Sequence, residues 1–135
     1  QHEDFEIQYA AAFYRRCGLV YYGCCEPLHD RIHLVRKLPN IRKISISPWA
    51  GVDAAADAIS GDFVLSRKPN PALLAMDTLD EDIILKELRE TLIACRRTGT
   101  PCEFVLKDIT TVRQDPGRLS RWHALARESI ERWGT

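Results

Sequence analysis

Apolar positions along the chain fall into two alternating rhythms, one with a period near 3.6 and one of short unbroken runs. Around residues 3–16, Phe5, Tyr9, Ala12 and Phe13 recur at helical spacing, and Gly18 follows as a stop. Leu19 to Tyr22 is a short apolar, aromatic-rich run that predicts a strand. His29 to Leu38 predicts a helix with Ile32, Val35 and Leu38 on one face, closed by Pro39. Ile41 to Ser47 reads as a strand, and Val52 to Ile59 as a short helix ended by Gly61. Asp62 to Ser66 predicts the third strand, and "SRKPNPALLA" a loop with prolines at 69 and 71. Thr78 is expected to open a long helix, with Glu81 completing a capping box. Ile84, Leu88, Leu92 and Cys95 line its face, and Gly99 is its stop. Cys102 to Lys107 is the fourth predicted strand. Asp115 and Pro116 then start a last helix whose face is Leu119, Trp122, Leu125, Ala126, Ile130 and Trp133.

The fold class is therefore α/β, with four parallel strands alternating with five helices, because strands separated by helices pair in parallel through right-handed crossovers. Two architectures accommodate this order: an open doubly wound sheet, or part of a (β/α)8 barrel. No glycine-rich loop follows any strand, so the dinucleotide fingerprint is absent.

Composition narrows the function classes. The 135 residues fit one domain and suffice for a real core. Lys plus Arg and Asp plus Glu both number 19, so nothing electrostatic points to nucleic acid or an acidic membrane surface. No apolar run approaches the roughly 18 residues of a membrane span, and no signal peptide is read. The five cysteines, at 17, 24, 25, 95 and 102, are odd in number and irregularly spaced. That argues for reduced thiols and a cytoplasmic setting rather than a disulfide framework, and the lack of a CxxC pair argues against a zinc ribbon. The chain begins at Gln1 rather than methionine, which suggests a trimmed piece of something longer.

Polar residues gather immediately after each predicted strand: Cys24, Cys25 and Glu26; Ser47 and Trp49; Ser66, Arg67, Lys68 and Asn70; Asp108 and Thr110. In a parallel α/β fold those loops share one rim, where active sites sit. Each residue also has a plainer reading. Cys24 and Cys25 could be small turn residues, and alternation along a strand would let only one face a pocket. Glu26 could cap the helix near His29, or act as a ligand or general acid/base. Arg67 and Lys68 could be an exposed charge pair, or cations held toward the rim by the prolines to suit a carboxylate or phosphate. Lys107 and Asp108 could be a local ion pair, and Trp49 could wall the pocket or simply pack. His29, His33 and His123 read as surface or helix residues, and Trp122 and Trp133 as core.

"YYGCCEPL", "ISISPWA", "LSRKPNP" and "FVLKDITTV", in this order, resemble the C-terminal half of the uroporphyrinogen decarboxylase-like superfamily. The likeness is to its uncharacterised bacterial branch near the corrinoid-linked methyltransferases, and it runs from about Phe5 to Trp133. It implies the last half of a TIM-like (β/α)8 barrel, a fold of roughly 250 residues when complete. The superfamily's arginine-bearing motif does not occur here, and "KDIT" stands where a glycine-histidine pair is usual. These departures turn the resemblance from decarboxylation toward metal-assisted methyl transfer, with a decarboxylase-type lyase and a non-catalytic small-anion-binding or scaffold module as the alternatives. By that resemblance Cys24 or Cys25 would hold zinc, which lowers a substrate thiol's pKa, with Tyr22 or Tyr21 standing where a histidine ligand would be. Asp108 replaces a distal cysteine, and a Cys, Glu, Asp set binds metal less softly. Glu26, Lys68 and Asp108 would be catalytic, and Arg67, Asn70, Trp49 and Tyr22 would bind a small anionic substrate. A corrinoid protein is an implied partner. The apolar strand residues Val20, Ile44, Ile46, Val64, Phe104 and Val105 would then need a covering surface, either the missing half or a second copy, so self-association is expected.

Overall fold

The computed structural model describes residues 7–134. The alternation is as expected, but among the described residues there are six helices rather than five. In chain order they are α1 (Gln8–Tyr14), β1 (Val20–Tyr22), α2 (Ile32–Val35), β2 (Ile41–Ile46), α3 (Val52–Ile59), β3 (Val64–Arg67), α4 (Ala72–Ala75), α5 (Glu81–Thr98), β4 (Cys102–Phe104) and α6 (Gly117–Trp133). The extra helix is α4, a single turn inside the stretch predicted as a loop. Pro71 presets its φ at −69°, and the Asn70 side chain accepts the Ala72 N–H at 3.0 Å.

The four strands form one sheet in the order β1-β2-β3-β4, every pair parallel. The described sheet has no reversal of strand order, and such a reversal is what creates the crevice of a doubly wound fold. Asn40 secures the first crossover. It adopts a left-handed backbone (φ 62°), and its side-chain amide donates to the Tyr14 and Cys17 carbonyls at 2.9 and 2.7 Å, capping the end of α1.

Parallel register places paired residues on the same face. Tyr22, Ile44, Leu65 and Cys102 face one way, as do Ile46, Arg67 and Phe104. This is the helix-covered face. Tyr22, Ile44, Ile46 and Leu65 pack with Leu28, Ile32, Val35, Ala55, Ala56, Ile59, Ala94 and Cys95 into the main core. A second cluster joins Leu73, Leu74, Ile84 and Leu88 to Trp122, Leu125 and Ala126. The other face carries Tyr21, Lys43, Ser45, Ser66 and Glu103. Its groups are bonded to one another: the Tyr21 and Ser66 hydroxyls lie 2.9 Å apart, Ser66 donates to Glu103 at 2.9 Å, and the Lys43 ammonium meets Glu103 at 2.6 Å. The expectation that the strand residues leave an apolar inner face in need of cover is corrected for Ile44 and Ile46, which are already buried beneath helices; the helix-free face is mainly polar, with the half-buried Val64 paired with Lys43 on it.

Helix ends differ from expectation in ways set by local geometry. The N-cap of α5 is Asp80, whose carboxylate accepts the Ile83 N–H at 3.1 Å, and not Thr78; Glu81 pairs instead with Arg121 of α6 at 2.5 Å. Pro116 rather than Asp115 occupies the N-cap position of α6, with Asp115 accepting the Gly117 N–H at 3.0 Å. Gly99 ends α5 in the left-handed region as predicted. Gly61 (φ 81°) ends the α3 turn beside the Gly99 carbonyl, where a Cβ would approach to 3.3 Å. The α6 face is rotated from the predicted one. Leu119 and Ile130 are exposed, and Arg118 and Ser129 are buried. Arg118 lies inward because its guanidinium donates to the Leu74, Met76 and Asp77 carbonyls, which α4 leaves without helical partners. On α1, Tyr9 and Phe13 are exposed, and Ile7, the residue that precedes the helix, is buried; Phe5 lies outside the described residues.

Candidate functional site

The C-terminal ends of the strands enclose a cavity of about 210 Å³ lined by Cys25, Ser47, Pro48, Trp49, Lys68, Pro69, Pro71, Lys107 and Asp108. Each strand contributes through the loop that follows it, as parallel pairing requires.

After β1 the chain bends at Cys25 and Glu26, and the two cysteines diverge. Cys24 packs against the main core, and its sulfur accepts the Glu26 N–H at 3.4 Å. Cys25 lines the cavity. Glu26 does not reach it, being exposed and held by Arg31 at 3.3 Å. Tyr22, one residue pair further back, is buried in the helix-side core and cannot meet a ligand at the rim.

After β2, Ser47 and Pro48 lead into a turn closed by the Ala50 N–H on the Ser47 carbonyl (3.1 Å), which leaves Trp49 exposed at the cavity's lip. The Ser47 hydroxyl is buried and makes no hydrogen bond among the described residues. A buried hydroxyl without a partner is costly, so a polar ligand would relieve it.

After β3 the two neighbouring cations separate, because successive strand residues point to opposite faces. Lys68 extends the ladder through its N–H to the Ile46 carbonyl (2.9 Å) and lines the cavity. Only 9% of its surface is exposed, and no acidic group or side-chain hydrogen bond holds its ammonium among the described residues. Arg67 points the other way, beneath the loops, and is a correction to the expected substrate-binding role. Its guanidinium donates to the Ser47, Ala50 and Pro48 carbonyls at 2.7, 3.4 and 3.5 Å and meets Glu87 of α5 at 3.4 Å. The same Glu87 carboxylate accepts the Asn70 N–H at 3.0 Å. Asn70 thus serves the loop through its backbone, and its side chain starts α4. One buried pair therefore anchors both loops that carry Trp49 and Lys68. Burial moves both partners toward neutrality: it lowers the Arg67 pKa and raises that of Glu87, against the opposing pull of their mutual attraction.

After β4, Val105 still pairs with the Arg67 carbonyl at 2.9 Å, and the strand then ends. Lys107 and Asp108 form a local ion pair at 2.8 Å, which raises the lysine's pKa through the hydrogen bond; Asp108 turns the chain with φ 59°.

Of the residues given a site role from the sequence, the cavity brings together Cys25, Trp49, Lys68 and Asp108, and leaves out Tyr22, Cys24, Glu26, Arg67 and Asn70. The donor set implied for zinc does not converge. Cys24 is turned to the core, Glu26 is tied to Arg31, and among the described residues no three His, Cys, Asp or Glu side chains gather as a metal-ligand group. Two participants escaped the sequence reading as site residues. Ser47 was visible only as a strand-end hydroxyl. Glu87 flanks the apolar stripe of α5, one residue before Leu88, and that position is the signal that could have found it. No helix among the described residues is long and apolar enough to cross a membrane. Comparison with protein-family models, with curated proteins and with solved structures finds no match for the chain.

Proposed function

We propose that the cavity at the C-terminal ends of the strands binds a small anion, a carboxylate or phosphate, within one half of a uroporphyrinogen decarboxylase-like barrel. The observation that carries the reading is Lys68, a nearly buried cation without a counter-ion, in the same cavity as the partnerless Ser47 hydroxyl. The Lys68 residue is nearly buried but its ammonium is not fully so, and an anion entering the cavity could reach it as a charge partner and also supply an acceptor for the buried Ser47 hydroxyl. Pro48, Pro69, Pro71 and Trp49 give the cavity apolar, stiff walls for the ligand's remaining atoms. Cys25 stands within reach of that ligand as a thiol. The sequential order of the strands, with β1 and β4 unpaired on their outer edges among the described residues, suits completion by further strands.

Titration calorimetry with inorganic phosphate and with malonate tests the reading. At least one should bind, and Lys68→Met should weaken it by tenfold or more, as expected for an interaction of about 1.5–3 kcal/mol with a charged group. Lys86→Met, on the exposed side of α5, should leave binding unchanged. No binding of either anion, or equal loss in both variants, overturns it. Light scattering coupled to size exclusion addresses the barrel: a monomer unaffected by concentration removes completion by a second copy.

A further inference from the structure

At the opposite end of the sheet lies a larger cavity, of about 360 Å³, lined by residues of α5, β4 and α6 that include Cys95, Arg96, Thr100 and Cys102. We propose that Cys95 and Cys102 form a redox-active dithiol that exchanges with low-molecular-mass disulfides entering this cavity. The inference is independent of the anion site, which uses neither residue.

The fold brings the two thiols together. Cys95 sits on the buried face of the last turn but one of α5, and Cys102 opens β4. The intervening chain reverses through Gly99 in its left-handed conformation, and the Thr100 N–H closes the reversal on the Cys95 carbonyl at 2.8 Å. β4 then runs back along α5, and Cys102, paired in register with Leu65, faces the helix. Cys95 belongs to the main core cluster, Cys102 packs against that cluster, and both line the same cavity. Both are free thiols in this structure.

Their environments assign separate roles. The interaction between the two thiols, with burial adding to it, raises the Cys95 pKa, and the same interaction lowers that of Cys102. Cys102 is also the more accessible of the two. It is therefore the attacking sulfur. Its thiolate attacks one sulfur of a small disulfide RSSR, forming a mixed disulfide and expelling RS⁻. Cys95 then loses its proton to the departing thiolate or to water and attacks the Cys102 sulfur, expelling the second RS⁻. The balance is two protein thiols and RSSR giving one internal disulfide and two RSH. Arg96 at the cavity's edge offers a cation to a peptide-like disulfide bearing carboxylates.

The test uses the folded chain incubated with glutathione disulfide, quenched in acid, alkylated, and digested with trypsin without reduction. Cleavage after Arg89, Arg96, Arg97 and Lys107 puts the two cysteines on separate peptides, residues 90–96 and 98–107. The expected result is a disulfide-linked pair of these peptides. Cys102→Ser should abolish it and leave Cys95 alkylated, whereas Cys95→Ser should stop at a glutathione adduct on Cys102. Circular dichroism of both variants confirms that they are folded. Adducts on exposed Cys17 and Cys25 with Cys95 and Cys102 still alkylated as free thiols would overturn the proposal, as would a linked pair that forms only in denaturant.

Discussion

Each face of the sheet carries one cation–carboxylate pair, and the two pairs behave in opposite ways. On the helix-covered face, Arg67 and Glu87 leave only 6% and 18% of their side chains exposed, and burial raises the Glu87 pKa. On the helix-free face, Lys43 and Glu103 leave 38% and 33% exposed, and the lysine's hydrogen bond lowers the Glu103 pKa. The chemistry is nearly the same, and solvent decides the sign. In the dry pair desolvation outweighs attraction, so the pair is not retained for its charge energy. Its use lies in the backbone groups that it satisfies, the Ser47, Pro48 and Ala50 carbonyls and the Asn70 N–H, which fix the loops around the anion cavity. In the wet pair attraction wins, but water and salt screen it.

The comparison breaks most visibly at Arg67. Arg67→Met should destabilise the fold by about 3–5 kcal/mol, since it strands a buried carboxylate and three carbonyls. Urea unfolding measures this, and a loss no larger than that of a surface substitution would show that the loops do not depend on the pair. Adjacent residues on β2 give the next contrast. Ile44→Ala, fully buried among helices, should cost about 2–5 kcal/mol. Lys43→Met, one residue earlier and on the other face, should cost no more than about 1 kcal/mol. Equal effects at the two positions would mean that the helix-free face is covered in solution, as a closed barrel would require.

The smallest expected effects are in the pH dependence, and they have opposite signs. Glu103 has a lowered folded-state pKa, so its contribution is present above the ordinary carboxylate pKa and is lost as pH falls through the lowered value. Lys43→Met should flatten that acid limb. Glu87 has a raised folded-state pKa, so its contribution is most favourable at low pH and declines as pH rises through the raised value. Glu87→Gln, which keeps an acceptor for the Asn70 N–H, should remove this decline. Unfolding midpoints measured from about pH 3 to pH 7 separate the two, the span over which carboxylates titrate. The same direction of change in both variants would contradict the assigned environments.

The sequence by itself determined the order of every element but α4, because each rests on a local signal: β-branched runs for β2 and β3, helical spacing for α3 and α5, Gly99 for the end of α5. Parallel pairing followed from the intervening helices, and the strand-end clustering of polar residues located the rim with Cys25, Trp49, Lys68 and Asp108 on it. Tertiary structure alone decided which of two neighbours faces the cavity. Cys24 and Cys25, or Arg67 and Lys68, are equivalent in composition, and only the pleat's phase against the helices assigns one inward and one to the ligand side. It also decided that Glu87, some twenty residues away in the chain, anchors Arg67, and that Cys95 and Cys102 line one cavity. Such pairings depend on how α5 lies across the sheet. The periodicity of a single helix gives the face that is buried, but not the strand residue that meets it.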